Sequence, residues 1–140
     1  MSRIIIVSGP PGAGKSTTAK RLAQTAPGDL SVHLHTDDFY AYVRKGFVEP
    51  WKPEAMAQNI TIMKALAATA GIYAEGGYEV AVDGIVGSWF FEPWTAVAAE
   101  KGLDLRYLLL MPSEAETVAR ATARTAPGAM TDAAVVREMW

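Results

Sequence analysis

Apolar runs of two different periods alternate along the chain. Ile4-Ile5-Ile6-Val7 is a continuous β-branched run that ends in Ser8-Gly9. A short run that is apolar on both faces predicts a central strand of a parallel sheet. A Gly/Pro-rich turn follows from Gly9 to Gly14, and a helix is expected from about Lys15 to Ala26, stopped by Pro27-Gly28. Leu30 to His35 predicts a second short strand, with Asp37-Asp38-Phe39-Tyr40 just past its carboxyl end. The segment 41–53 carries Gly46, Pro50 and Pro53 among Phe47 and Trp51, and it predicts an irregular insertion.

From Pro53-Glu54 the period changes. Met56, Ile60, Met63, Ala67 and Ala70 recur at helical spacing and predict one apolar helix face, with proline in the first turn and Gly76-Gly77 at the end. Tyr78 to Val82 predicts a third strand, finishing at Asp83-Gly84. Residues 89–101 are aromatic and alanine-rich and predict a helix broken at Pro93. Leu105 to Met111 predicts a fourth strand, stopped by Pro112. Ser113 with Glu116 is a capping-box pair opening a helix to about Thr125, the loop 126–130 follows, and Thr131 caps a last helix running to Trp140. Strands alternating with helices specify βαβ units, hence an α/β fold around a parallel sheet.

The 140 residues suit one domain with one core. Half the residues are hydrophobic and 20% are charged, an ordinary globular balance. A net charge of −2 supplies no basic face and argues against nucleic acid as a partner. With no cysteine, disulfides, thiolate chemistry and cysteine-based metal sites are excluded. The apolar start is too short for a signal peptide and no stretch approaches a membrane span, so a cytoplasmic location without membrane contact is expected.

Gly9-Pro10-Pro11-Gly12-Ala13-Gly14-Lys15-Ser16 fits G-x-x-x-x-G-K-[ST], placed between a predicted strand and a predicted helix. Glycines let backbone N–H groups turn inward, and the helix N-terminus adds its positive dipole. Gly9 to Thr17 are therefore the candidate binding residues for ATP. Lys15 has the reach for the β- and γ-phosphates, and the Ser16 hydroxyl suits Mg²⁺. Asp83, at the end of an apolar strand, is the second candidate for the metal, directly or through water; its alternative role is a cap or a solvated loop acid.

Ligands in open α/β sheets bind beyond the carboxyl ends of the strands. Asp37 is thereby the candidate base for an acceptor hydroxyl, with Asp38 as its alternative and turn capping as the competing role for both. Arg120 and Arg124 lie four apart on one predicted helix face, fit either to clamp a transferring phosphate or to be solvated. Arg44, Lys45 and Lys52 border the insertion and read as surface charge, or as contacts to an anionic acceptor. Tyr40, Tyr42, Phe47, Trp51, Trp89 and Trp94 follow strand ends and suit either a substrate pocket or local core. His33 and His35 flank Leu34, and with no third ligand to place beside them they read as structural. The six methionines read as core filler.

Taken together, the loop 9–16, the Asp-Asp-Phe-Tyr after strand two, Val-Asp-Gly-Ile-Val-Gly over 82–87 and the Arg120/Arg124 pair resemble the P-loop small-molecule kinase group. That group includes gluconate and shikimate kinases, uridine kinase, chloramphenicol phosphotransferase and the zeta-toxin kinases. The resemblance implies a three-layer P-loop fold with strand order 2-3-1-4 and strand one central. It also implies Asp37 at the acceptor site, Arg120 and Arg124 as lid arginines, and 126–130 as the lid turn. Such kinases continue past the lid into a fifth strand, whereas this chain stops at Trp140, so either the domain is C-terminally truncated or part of the adenine site is absent; a single domain is expected, with an acceptor region at 39–53 and a lid at 120–131. The resulting expectation is a kinase moving the γ-phosphate of ATP to a small-molecule hydroxyl; the alternatives are an ATP-binding module or slow NTPase without an acceptor, and a nucleic-acid end kinase.

Overall fold

The computed structural model describes residues 2–111. The predicted capping box at Ser113, the lid with Arg120 and Arg124, and the helix from Thr131 lie outside the described residues.

Four strands, β1 (Arg3–Ser8), β2 (Ser31–His35), β3 (Glu79–Asp83) and β4 (Asp104–Leu109), form one sheet in the order β2-β3-β1-β4. All three pairings are parallel, as the βαβ alternation requires. The helices are α1 (Lys15–Gln24), α2 (Thr36–Ala41), α3 (Met56–Glu75) and α4 (Phe91–Lys101). The α/β three-layer P-loop fold and the strand order 2-3-1-4 are both present.

The two central strands sort their side chains by parity, because successive residues of a strand point to opposite faces. Ile4, Ile6, Val80 and Val82 enter the main core with Met63, Leu66 and Ala70 of α3 and Trp94 of α4. Val7 and Ala81 point the other way, onto Ala19 of α1. That second face ends in Asp83, one step beyond Ala81 on the same side.

Two local expectations are corrected. The apolar face of α3 does not include Met56 and Ile60, which are 51% and 39% exposed; it runs from Ile62 and Met63 to Ala74. The first turns of α3 hold the insertion instead. Gln58 receives the Val48 N–H at 2.9 Å and donates to the Val48 carbonyl at 2.7 Å, while buried Asn59 donates to the Pro50 carbonyl at 3.0 Å.

The helix near 91–101 is not broken at Pro93. Proline occupies the third helical position, where no intrahelical acceptor is owed to its missing N–H. Asp37 and Asp38 lie just past the carboxyl end of β2, as expected, in the first turn of α2. Among the described residues no helix is long and apolar enough to cross a membrane.

Candidate phosphate and metal site

The loop from Gly9 to Gly14 joins the carboxyl end of β1 to the start of α1. Gly12 and Gly14 have φ of 82° and 91°, a region that side chains with a Cβ rarely adopt. The turn is closed by Ala13 N–H donating to the Pro10 carbonyl at 3.2 Å. Gly14 caps α1 with no side-chain acceptor, so the first amides of the helix are left to an external anion. Lys15 Nζ donates to the Pro10 carbonyl at 3.0 Å and lies along the loop's own backbone. Ser16 and Thr17 are exposed at the helix start. A glycine-rich loop running into a helix N-terminus, with one ammonium folded along it, has the sign for a phosphate chain.

Asp83 is the polar centre of the site, with a side chain only 1% exposed. A carboxylate this buried must be compensated by donors or cations. Ser16 Oγ donates to Oδ1 at 3.2 Å, which makes the predicted Ser16–Asp83 pair a direct contact. His35 Nδ1 lies 2.5 Å from Oδ1, and His33 Nε2 meets Oδ2. The parallel register explains the convergence: His35 is aligned with Asp83 and His33 with Ala81, so all four side chains project from one face of the sheet.

The sequence offered no third group to place beside His33 and His35, and the structure supplies one. That group is Asp83, fifty residues from His33, and the donor atoms of His33, His35 and Asp83 all lie within 4.8 Å of one another. The signal present in the sequence was the i, i+2 spacing on a strand; the register that turns it into a cluster was not.

Asp37 stands beyond the same imidazole. His35 Nε2 is 3.6 Å from Asp37 Oδ2, and the Asp37 side chain is 77% exposed, open to a bound molecule. The next element is fixed behind it: Tyr40 donates its hydroxyl proton to Asn59 Oδ1 at 3.0 Å. Burial, with the Asp37 charge second, pushes the Tyr40 phenol up to about 12.

The aromatic residues divide. Trp94 is fully buried and belongs to the core, not to a pocket wall. Tyr42, Phe47, Trp51 and Trp89 are exposed, and among the described residues no ring contact joins the 39–51 segment to the 89–94 segment. Lys52 pairs with Glu49 at 3.0 Å, consistent with surface charge. Ser8, which attracted no attention in the sequence, holds the loop after β3: its hydroxyl accepts from Val86 N–H at 2.9 Å and faces the Val86 carbonyl at 3.3 Å.

Comparison with known proteins agrees with this geometry. An AAA domain family model matches residues 4–140. No curated protein matches the chain in sequence. Solved structures that share its fold include the Mycobacterium tuberculosis APS kinase in complex with AMPPNP and APS, with TM-score 0.63, 21% identity and coverage of 82% of this chain and 66% of that one. A sugar kinase from Janibacter has TM-score 0.66 and 20% identity over 99% of this chain and 76% of its own. The tunicamycin resistance protein of Deinococcus radiodurans has TM-score 0.62 and 20% identity over 98% and 78%. The chain belongs to the AAA domain family and has the fold of the P-loop small-molecule kinases.

Proposed function

We propose that this protein is an ATP-dependent phosphotransferase that moves the γ-phosphate of ATP to a hydroxyl of a small molecule. The observation that carries this reading is the shared imidazole of His35, with Asp83 on one nitrogen and Asp37 on the other. A carboxylate fit to receive a hydroxyl proton thus lies one ring's width from the carboxylate fit to serve a phosphate-bound cation. A pure nucleotide switch has no use for the first of these groups.

In this reading the amides of residues 9–17 and Lys15 cradle the triphosphate. Ser16 Oγ and Asp83, an oxygen pair at 3.2 Å, suit Mg²⁺, which would neutralise charge on the β- and γ-phosphates. Asp37 orients the acceptor hydroxyl and takes its proton as the new O–P bond forms and ADP leaves. The segment 39–53, held by Gln58 and Asn59, is the acceptor-binding insertion, and Arg120 and Arg124 of a 120–131 lid would meet the transferring phosphoryl group. The reading places the protein in the cytoplasm, where ATP is available, as a single domain over 1–140. The fold is shared with an APS kinase, a sugar kinase and a tunicamycin resistance protein, so it does not choose the acceptor, which is read here only as a hydroxyl compound.

The test is ADP release from Mg-ATP across a panel of hydroxyl-bearing metabolites and antibiotics, with Lys15→Ala and Asp37→Asn alongside. Stimulation by one compound class is expected, lost in both variants, with ATP still bound by Asp37→Asn. ATP binding that depends on Lys15 but answers to no acceptor would replace this reading by that of an ATP-binding module or slow NTPase.

A further inference from the structure

The cluster around Asp83 contains more nitrogen than a magnesium site uses. Mg²⁺ favours oxygen ligands and keeps much of its water, whereas imidazole nitrogens suit zinc and the divalent first-row transition ions. We propose that His33, His35 and Asp83 form a two-histidine, one-carboxylate site for a divalent ion of the cobalt–zinc class, bound directly by the protein and independently of nucleotide.

Three features of the cluster support this. First, the donors come from adjacent, paired strands, so they are held by backbone hydrogen bonds rather than by loops. All three lie within 4.8 Å of one another, close enough for modest side-chain rotation to bring them to one ion. Second, the two rings stand edge to face at 66°, with centroids 6.4 Å apart, and each turns one nitrogen toward the same carboxylate.

Third, a carboxylate also stands on the outer side of His35: its Nε2 lies 3.6 Å from Asp37 Oδ2, the side on which metal-bound histidines commonly have a carboxylate partner. The side chains of His33 and His35 are 25% and 35% exposed, so the ion has a route in from solvent, while Asp83 provides a dry floor.

The site does not rest on the phosphotransferase reading, because ion binding is measured without nucleotide. The experiment titrates the full, metal-stripped chain with Co²⁺ and follows the visible ligand-field absorption. One equivalent is expected to bind with the intensified, shifted bands of nitrogen-ligated, low-coordinate cobalt, to be displaced by Zn²⁺, and to resist Mg²⁺ in about 100-fold excess. His33→Gln with His35→Gln keeps an amide donor toward Asp83 but removes the imidazoles; it is expected to weaken Co²⁺ at least ~100-fold, and Asp37→Asn about 10-fold.

Unchanged Co²⁺ binding in the double variant would overturn the proposal, as would displacement by equimolar Mg²⁺ or a spectrum no different from the aquated ion. Should the double variant not fold, the wild-type Co²⁺ protein decides alone. Two paramagnetically shifted imidazole ring systems in its proton spectrum are expected, and their absence means that the histidines only hydrogen-bond to Asp83. Failure of ADP release to respond to any acceptor leaves this result untouched, and the converse also holds.

Discussion

The two faces of the sheet are cut from the same strands and carry opposite contents. Toward α3 and α4, β1 and β3 send Ile4, Ile6, Val80 and Val82 into a closed apolar core with Met63, Leu66 and Trp94. Toward α1, the alternate positions contribute Val7 and Ala81, with partly buried Ile5, to a small cluster with Ala19, and then give way to Asp83, His33, His35 and Ser16. One residue's shift in register would exchange the two sets, so the parity that builds the core also aims the chemistry. The comparison teaches that the core and the candidate site are separated here by odd and even positions along a strand.

Changes on the polar face should therefore cost activity and spare stability. Asp83→Asn is expected to lower phosphoryl transfer by about 10²–10³-fold, the scale for removing one charge-stabilising group from an active site. Its urea midpoint should stay level or rise, because a buried carboxylate is exchanged for a neutral isostere. A large loss of stability in that variant would break the separation of faces.

On the apolar face the opposite is expected. Leu66→Ala, at a fully buried position, should cost about 2–5 kcal/mol in denaturant unfolding while leaving turnover per folded molecule unchanged. Gly84→Ala tests the seam between the faces. A Cβ there would stand 2.2 Å from Thr36 Oγ1, so α2 must shift where it follows His35. A loss of about 1–3 kcal/mol is expected, with a raised KM for the acceptor because Asp37 moves with α2.

The smallest effect concerns the support behind Asp37. Tyr40→Phe removes the hydroxyl that donates to Asn59 and should cost about 1 kcal/mol at neutral pH. Its pH dependence sharpens the assignment. The phenol ionises at about 12 in the folded protein against 10.0 unfolded, so its protonated form is favoured by folding. That contribution is complete below pH 10.0 and is lost as pH rises toward about 12. Unfolding midpoints of the wild type should fall more steeply across that window than those of Tyr40→Phe.

Legibility in the sequence followed the range of the interaction. The phosphate loop could be read because its function is made by consecutive backbone amides, and glycine positions report backbone conformation directly. The strands could be read because burial on both faces leaves an uninterrupted apolar run such as Ile4 to Val7. The face of α3 was misplaced by its first turns, because Met56 and Ile60 keep the helical period while Gln58 and Asn59 do the work of holding the insertion. Pro93 read as a break because its position relative to the helix start, not its presence, decides its effect.

What the sequence determined by itself is thus the α/β alternation, the phosphate loop with Lys15 and Ser16, and the candidacy of Asp83 and Asp37, each a matter of local pattern. Only the tertiary structure decided that His33 and His35 meet Asp83, that Asp37 stands across His35 from it, and that Trp94 is core. Those contacts join residues about fifty positions apart through the pairing of β2 with β3, and a strand's own pattern specifies which of its residues share a face but not which residue of the neighbouring strand lies opposite.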